Sequence, residues 1–245
     1  MRIYHYTSVE VLALILKNKT IRFSRLDRVD DPYEYGFIKD GHNPAKFTYI
    51  SCWTKNSIES IPQWIIYGNQ RHGVRISFES DNLFDIKNEG VYNRWFTNEE
   101  MKKMDVVIPP ILDNDILYDI QYVDNPKSYT ANIFPLVNGE NAIDFKEIGR
   151  YKTKDWSFQD ECRYKIHAFP KNIKGSSIPL LLANLIKNDI YPHEEFIDIP
   201  LKETALDDIE ILLGPDSSQA EHIIVEALCN QYIKKDCIKA SALRP

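Results

Sequence analysis

Residues 161–166 alternate between apolar and charged side chains, which is the period of a β-strand with two different faces. One face carries the apolar side chains, which are Cys162, Tyr164 and Ile166. The other face carries the charged side chains, which are Glu161, Arg163 and Lys165. Two aromatic residues, Trp156 and Phe158, come just ahead of the alternation. The stretch 155–166 therefore predicts a half-buried strand that displays a charged row.

The rest of the chain carries the periods of further strands and helices. Alternating or short apolar runs predict strands at residues 3–6, 20–24, 47–54, 74–78, 116–123, 195–201, 209–213 and 237–240. Helical apolar spacing with capping residues predicts helices at residues 9–18, 60–67, 142–151, 177–187 and 218–232. Asp31-Pro32 interrupts any helix, so residues 27–34 are predicted to be a loop.

The first predicted strand runs directly into the first predicted helix. Thr7 and Glu10 have the spacing of a capping box, with Thr7 at the N-cap. His5 should therefore lie at the end of a strand and beside a helix N-terminus, a position that favours anionic ligands.

Together these elements predict an α+β fold with mixed, mainly antiparallel sheets and packed helices. We expect one domain over residues 1–245, because the chain has no repeat, no low-complexity run and no clear domain boundary. Within it, residues 195–245 are predicted to form a C-terminal strand-helix-strand unit.

Composition narrows the classes of function. The chain has nine glycines and no Gly-rich phosphate-loop motif. The formal net charge of -6 is the wrong sign for a general nucleic-acid coat, which leaves a local basic groove around Arg22, Arg25 and Arg28. The four cysteines are widely spaced, and no apolar run is long enough to span a membrane. We expect a cytoplasmic protein with no metal site and no membrane partner.

Several short motifs recur along the chain in a particular order. They are His5-Tyr6-Thr7-Ser8, Asp30-Asp31-Pro32-Tyr33-Glu34, Ser51-Cys52-Trp53, Gln63-Trp64 with Tyr67 and His72-Gly73, Lys154-Asp155-Trp156 with Glu161-Cys162-Arg163, and Leu213-Gly214-Pro215. This order resembles the bacterial domain-of-unknown-function family 2971, over about residues 3–225. The family usually has Asn where this chain has Asp30, which adds a negative charge to the turn.

The start of the chain is also distantly similar to ADP-ribosyltransferases of the His-Tyr-Glu class, especially those that modify nucleic acid. The resemblance implies an ADP-ribosyltransferase-like fold and NAD as the substrate. It implies that His5 holds the ribose of NAD and that Glu161, on a late strand, completes the catalytic site. The aromatic residue that stacks on nicotinamide remains open among Trp53, Trp64 and Tyr67. Thr7 and Arg163 are further candidates for binding the nucleotide.

The chemistry of that reaction suits these residue types. Breaking the bond between nicotinamide and ribose builds positive charge on the sugar, as in glycoside hydrolysis. A carboxylate such as Glu161 stabilises that charge. A histidine that donates to a ribose hydroxyl fixes the reacting geometry. The acceptor of ADP-ribose would be a nucleic acid or a protein, as in a toxin or defence effector.

Two other classes of function fit the same residues. The first is a non-catalytic module that binds a small-molecule nucleotide or a partner. The second is a metal-dependent phosphodiesterase built on Asp30, Asp31, Glu34 and Glu161, although these acids lack the spacing of a two-metal site.

Overall fold

The computed structural model describes the chain except for residues 37–42, 91, 112–115, 138, 172–184, 186, 187, 189, 234 and 245. The strands are β1 Arg2–Thr7, β2 Thr20–Arg25, β3 Thr48–Thr54, β4 Val74–Glu79, β5 Lys87–Glu89, β6 Tyr92–Arg94, β7 Val106–Val107, β8 Leu117–Asp119, β9 Gln121–Val123, β10 Leu136–Val137, β11 Glu140–Asn141, β12 Tyr151–Thr153, β13 Glu161–His167, β14 Phe169–Pro170, β15 Phe196–Pro200, β16 Glu210–Leu213 and β17 Ile238–Ala240. The helices are α1 Val9–Asn18, α2 Pro32–Tyr35, α3 Ile61–Ile66, α4 Asn98–Lys102, α5 Thr130–Ile133 and α6 Gln219–Tyr232.

The main sheet has the strand order β15-β2-β3-β1-β4-β16-β17, and β13 and β8 continue it from a second edge of β3. The pairs along it are antiparallel except for β16 with β17, which is parallel. Short two-stranded ribbons and helices pack around this sheet. The predicted α+β fold with mainly antiparallel sheets is confirmed.

Strand β3 has three neighbours, and this opens a gap in the sheet. One edge of β3 pairs with β13 along its whole length. The other edge is shared, because Tyr49 and Ile50 pair with β2 whereas Thr54 pairs with β1. Among the described residues, 51–53 pair with neither strand on that edge. Strands β1 and β2 therefore separate beside the middle of β3.

Most of the hydrophobic core lies on one side of the main sheet. The apolar face of β13 belongs to it, as predicted, with Cys162, Tyr164 and Ile166 almost completely buried. A smaller apolar cluster on the other side includes Leu26 and Ile50.

The charged face of β13 is buried as well, which corrects the prediction of a half-buried strand. Only 6% of Glu161, 1% of Arg163 and 7% of Lys165 is exposed. Residues 155–159 belong to a 3-10 helix over Lys154–Gln159, so the strand itself begins at Glu161. The loops and short elements around residues 143–153 cover the charged face.

The predicted helix at 142–151 is wrong, and β13 supplies the reason. Lys165 Nζ donates to the carbonyl oxygens of Phe145, Lys146 and Ile148 at 3.1, 2.6 and 3.0 Å. Arg163 Nη1 donates to the carbonyl oxygen of Gly149 at 3.0 Å. Because these carbonyls point to buried cations, they are not available for a helical ladder. Burial, followed by Arg150 and Arg163, lowers the pKa of Lys165 to about 7, and the three accepting carbonyls favour its ammonium form against that shift.

Other boundaries also differ from the predictions. Ser8, not Thr7, caps α1, and its side chain accepts from Val11 N. Asp31 caps the one-turn helix α2 within the predicted loop, with Pro32 in the first turn. The predicted strand at 116–123 is two strands, β8 and β9, in different sheets. The predicted helix at 177–187 lies almost entirely outside the described residues.

The C-terminal residues reach both ends of the main sheet. Strand β15 pairs with β2, whereas β16 and β17 continue the sheet beyond β4. The strand-helix-strand order is formed by β16, α6 and β17, and a capping box of Ser218 and Glu221 starts α6.

Two of the motif glycines allow a close approach of the chain. Gly214 N donates to the carbonyl oxygen of Gly73 at 2.9 Å. A Cβ atom on Gly73 would lie 2.2 Å from the backbone oxygen of Thr7, and one on Gly214 would lie 2.2 Å from that of Arg71. Neither position has room for a side chain, so these motifs support the fold rather than the chemistry.

We predict that Gly73→Ala lowers the free energy of unfolding by about 2–4 kcal/mol, because the backbone must move to accept the methyl group. Gly90→Ala is the control, since a Cβ there meets open space and only its positive φ of 73° costs stability, about 1 kcal/mol. Urea unfolding of both variants measures the difference. Equal losses would contradict the steric explanation.

Candidate functional site

A cavity of about 280 Å³ lies where β1 and β2 separate along β3. Strand β1 contributes Tyr4, His5 and Tyr6 to its wall, and β3 contributes residues 50–53. The remaining lining residues are Arg22, Ser24, Arg28, Val29, Asp30, Asp31, Glu34, Gln63, Tyr67, Lys152, Trp156, Gln159 and Glu161. The gap in the sheet thus gives several distant chain segments access to one space.

His5 bridges the gap with its side chain. Its Nδ1 lies 2.8 Å from the carbonyl oxygen of Cys52, and its ring lies 5.1 Å from that of Trp53. Burial lowers the pKa of His5, although the Cys52 carbonyl opposes the shift. A neutral ring that donates from Nδ1 to a carbonyl keeps Nε2 as an acceptor. The sequence predicts a donor toward ribose, whereas this tautomer presents an acceptor.

Glu161 is held on both carboxylate oxygens by cations. Arg163 Nε donates to Oε1 at 2.8 Å, with a further contact from Nη2, and Lys152 Nζ donates to Oε2 at 2.8 Å. Burial disfavours the charge, but Arg163 and Lys152 outweigh it and lower the pKa of Glu161. Glu161 is therefore an ionised carboxylate with its charge balanced.

Glu34 completes a buried cluster of two acids and two bases. It receives Arg163 Nη1 on one oxygen and Lys152 Nζ, at 3.1 Å, on the other. Burial opposes the charge of Lys152, but Glu161 and Glu34 together raise its pKa. We call Glu34, Lys152, Glu161 and Arg163 the ion cluster. It joins α2, β12 and β13 beneath the cavity.

Tyr67, Gln159 and Gln63 connect the ion cluster to α3. Gln159 accepts from Lys152 Nζ at 2.7 Å and donates through Nε2 to the Tyr67 hydroxyl at 2.6 Å. Gln63 Nε2 donates to the Gln159 carbonyl oxygen at 3.1 Å. Burial raises the pKa of Tyr67 to about 12, so its hydroxyl stays protonated.

The structure brings together part of the predicted site. His5, Trp53, Tyr67 and Glu161 all line the cavity. Three other candidates do not line it. Thr7 lies at the end of β1, Trp64 is fully buried against Tyr6, and Arg163 lies behind Glu161 in the ion cluster.

Lys152 is a site residue that the sequence does not predict, because it belongs to no motif and lies on the short strand β12, whose three residues show no distinctive pattern.

Glu34 was predicted only as a metal ligand, and the structure pairs it with two cations instead. A metal ion would have to displace Lys152 and Arg163, which disfavours the phosphodiesterase. Within the described part of the chain, no group of three or more His, Cys, Asp or Glu side chains is arranged to hold a metal.

The expected basic groove is neutralised by acids. Arg22 pairs with Asp198 at 2.9 Å, Arg25 with Asp27 at 2.7 Å, and Arg28 with Glu195. Two of these three acids come from the β15 region: Asp198 lies in β15 and Glu195 directly precedes it. The three arginines therefore do not form a free basic surface.

Comparison with known proteins gives one family match, over part of the chain. Residues 63–164 match the family described as protein of unknown function DUF2971. The match includes Tyr67, Lys152 and Glu161 but not His5 or Asp31, which lie before it. No curated protein and no solved structure matches the chain.

Among the described residues, no helix combines the length and apolar character needed to cross a bilayer.

We predict that Lys152→Met lowers the free energy of unfolding by about 3–5 kcal/mol at pH 7, because the buried carboxylates of Glu34 and Glu161 each lose one of their two cations. Lys154→Met is the control and should change it by less than about 0.5 kcal/mol, since Lys154 pairs at the surface with Asp124. The loss for Lys152→Met should be smaller at pH 5 than at pH 7, because removing the lysine removes one of the charges that lower the pKa of Glu161. Denaturant titrations at both pH values test this, and equal costs for the two variants would contradict it.

Two histidines with lowered pKa values predict the direction of the pH dependence of stability. Burial lowers the pKa of His5 and, together with Lys165, that of His167 below the ordinary value. The unfolded chain then binds more protons, so their contribution is complete above the unfolded pKa of about 6.5 and is lost as the pH falls below it. We expect urea unfolding to show lower stability at pH 5.5 than at pH 7.5.

The variant His167→Gln should reduce this pH dependence. His222→Gln is a matched control on α6, outside both buried sites, and should leave it unchanged. Stability that is constant or higher at pH 5.5 in the unmodified protein would contradict the assignment.

Proposed function

We propose that the protein binds NAD in the cavity and transfers ADP-ribose to a nucleic-acid or protein acceptor. The observation that carries the proposal is the meeting of His5, Trp53, Tyr67 and Glu161 at one cavity, although they come from separate parts of the chain. A histidine, aromatic rings and a late-strand glutamate are the residue types that cleavage of the nicotinamide–ribose bond needs.

The size of the cavity supports binding of one end of the dinucleotide. About 280 Å³ is close to the lower end of the range for small-molecule pockets, roughly 300–1,000 Å³. That space suits one nucleoside-sized group. In the proposal the nicotinamide riboside enters the cavity and the adenosine half lies outside it.

The geometry of His5 supports a role in holding the ribose. Its Nδ1 is fixed by the Cys52 carbonyl and its ring packs on Trp53. Nε2 is then oriented as an acceptor for a sugar hydroxyl. A fixed acceptor reduces the entropic cost of bringing the sugar into the reacting position.

Glu161 supplies a carboxylate that is ionised before the ligand arrives, because Arg163 and Lys152 lower its pKa. Such a charge stabilises the positive sugar that forms as nicotinamide leaves. The nicotinamide departs with the electron pair of the broken bond, and the acceptor nucleophile forms the new bond to the sugar carbon.

A second candidate is nucleotide binding without turnover. It is favoured by the same contacts of Glu161, whose two oxygens already accept from Arg163 and Lys152. A carboxylate engaged in this way offers less of its charge to a substrate. Under this alternative Glu161 only shapes the cavity floor.

We predict that the protein releases nicotinamide from NAD when it is supplied with total nucleic acid or cell lysate. Glu161→Gln should reduce that release by roughly a hundredfold or more, because the charge at the sugar is lost. Mass spectrometry of free nicotinamide and of the modified acceptor measures both.

Glu147→Gln is the matched control, since Glu147 pairs with Arg150 outside the cavity and should leave turnover unchanged. A thermal unfolding curve shows whether each variant is folded. His5→Ala provides a second test that leaves the ion cluster intact, and it should also lose activity. Unchanged nicotinamide release by folded Glu161→Gln would contradict the transferase. An unmodified protein whose melting temperature rises with NAD but which releases no nicotinamide would also contradict it. That second result would support nucleotide binding without turnover.

A further inference from the structure

Asp31 places an unused carboxylate oxygen beside the cavity. Its Oδ1 accepts from Tyr33 N at 2.9 Å as the cap of α2. Its Oδ2 is enclosed and has no hydrogen-bond partner among the described residues. Only 2% of Asp31 is exposed, and the residue lines the cavity. A buried carboxylate oxygen in this position is costly unless a cation or a hydrogen-bond donor meets it.

The charges around the cavity do not balance Asp31. The ion cluster has two acids and two bases and is neutral by itself. Arg22 and Arg28 also line the cavity, but each is already bound by an acid, Asp198 or Glu195. Asp30 is a second lining acid that has no ion pair within the part of the chain that is described. The α2 side of the cavity thus keeps an excess of negative charge.

Half-buried aromatic rings lie in the same wall. Tyr67 and Trp156 line the cavity, and Trp156 already holds a cation, Lys152 Nζ, at 5.2 Å from its ring centre. Among the described residues, the Tyr67 ring stacks on no other ring and faces no side-chain cation, and it lines the cavity. Aromatic faces attract cations, and a flat cation can use the ring and the carboxylate together.

We propose that Asp31 makes this cavity selective for a flat organic cation, the pyridinium ring of oxidised NAD. The inference rests on the proposed function for the choice of NAD as the natural source of that ring. The preference for a positive ring over a neutral one follows mainly from the charge of Asp31, whose Oδ2 has no hydrogen-bond partner among the described residues. The ring lies against Tyr67, and its charge faces the α2 side of the cavity.

The test compares two ligands that share one ring and one carboxamide. The 1-methylnicotinamide ion carries the pyridinium charge, and nicotinamide is neutral. Ligand-observed NMR titration measures the dissociation constant of each with the whole protein. We expect the cation to bind roughly tenfold more tightly than the neutral ring.

Asp31→Asn removes the charge and keeps a residue that caps helices as well as Asp does, so the fold should be preserved. This variant should bind the two ligands with similar affinity. Asp207→Asn is the matched control, because Asp207 is an exposed acid away from the cavity, and it should keep the preference. Equal affinity in the unmodified protein, no binding of the cation, or a preference that persists in Asp31→Asn would overturn the inference.

The outcome separates this inference from the proposed reaction. A preference for the cation that depends on Asp31, without release of nicotinamide from NAD, would support the binding site and reject the transferase. Release of nicotinamide by a protein that shows no preference would support the transferase and reject the role of Asp31.

Discussion

The buried ion cluster of Glu34, Lys152, Glu161 and Arg163 is the interaction on which this structure depends. It connects α2, β12 and β13, whose members are up to 129 residues apart in the chain. Each charge would be strongly unfavourable alone in the interior, and the four are tolerated because every one has an opposite partner within hydrogen-bond distance. The cluster therefore works as a set. It fixes where the segment before β13 lies and forms the floor of the cavity.

The cavity itself comes from a property of the sheet. Because β3 shares one edge between β1 and β2, its middle residues lack a neighbouring strand there, and side chains fill the space that backbone pairing leaves. His5 takes over one of the missing contacts by bonding to the Cys52 carbonyl. A site at such a gap can draw on both faces of the sheet, which explains how His5, beside the main core, lines the same cavity as Glu161, on the opposite face. Fold and candidate site thus have one structural origin.

The strands were predictable from the sequence because alternation reports the pleat directly, and the apolar face of β13 lies in the core as its pattern indicates. The burial of the charged face of β13 was not predictable from the sequence. Alternation distinguishes the two faces of a strand but does not show whether the polar one meets water or distant charges such as Glu34 and Lys152. The same partners explain the missing helix at 142–151, whose carbonyls are taken by Lys165 and Arg163. His5 and Glu161 could be proposed from motif order, whereas Lys152 has no local signal and becomes visible only through its contacts.

The central claim is that the cavity receives the nicotinamide end of NAD. Saturation-transfer NMR on the protein with NAD tests it most directly, because it reports which ligand protons lie against protein protons. The account predicts stronger transfer to the nicotinamide ring and its ribose than to adenine, and loss of that pattern when a competing 1-methylnicotinamide ion is added. Transfer that is strongest at adenine, or that is insensitive to the competitor, would contradict it.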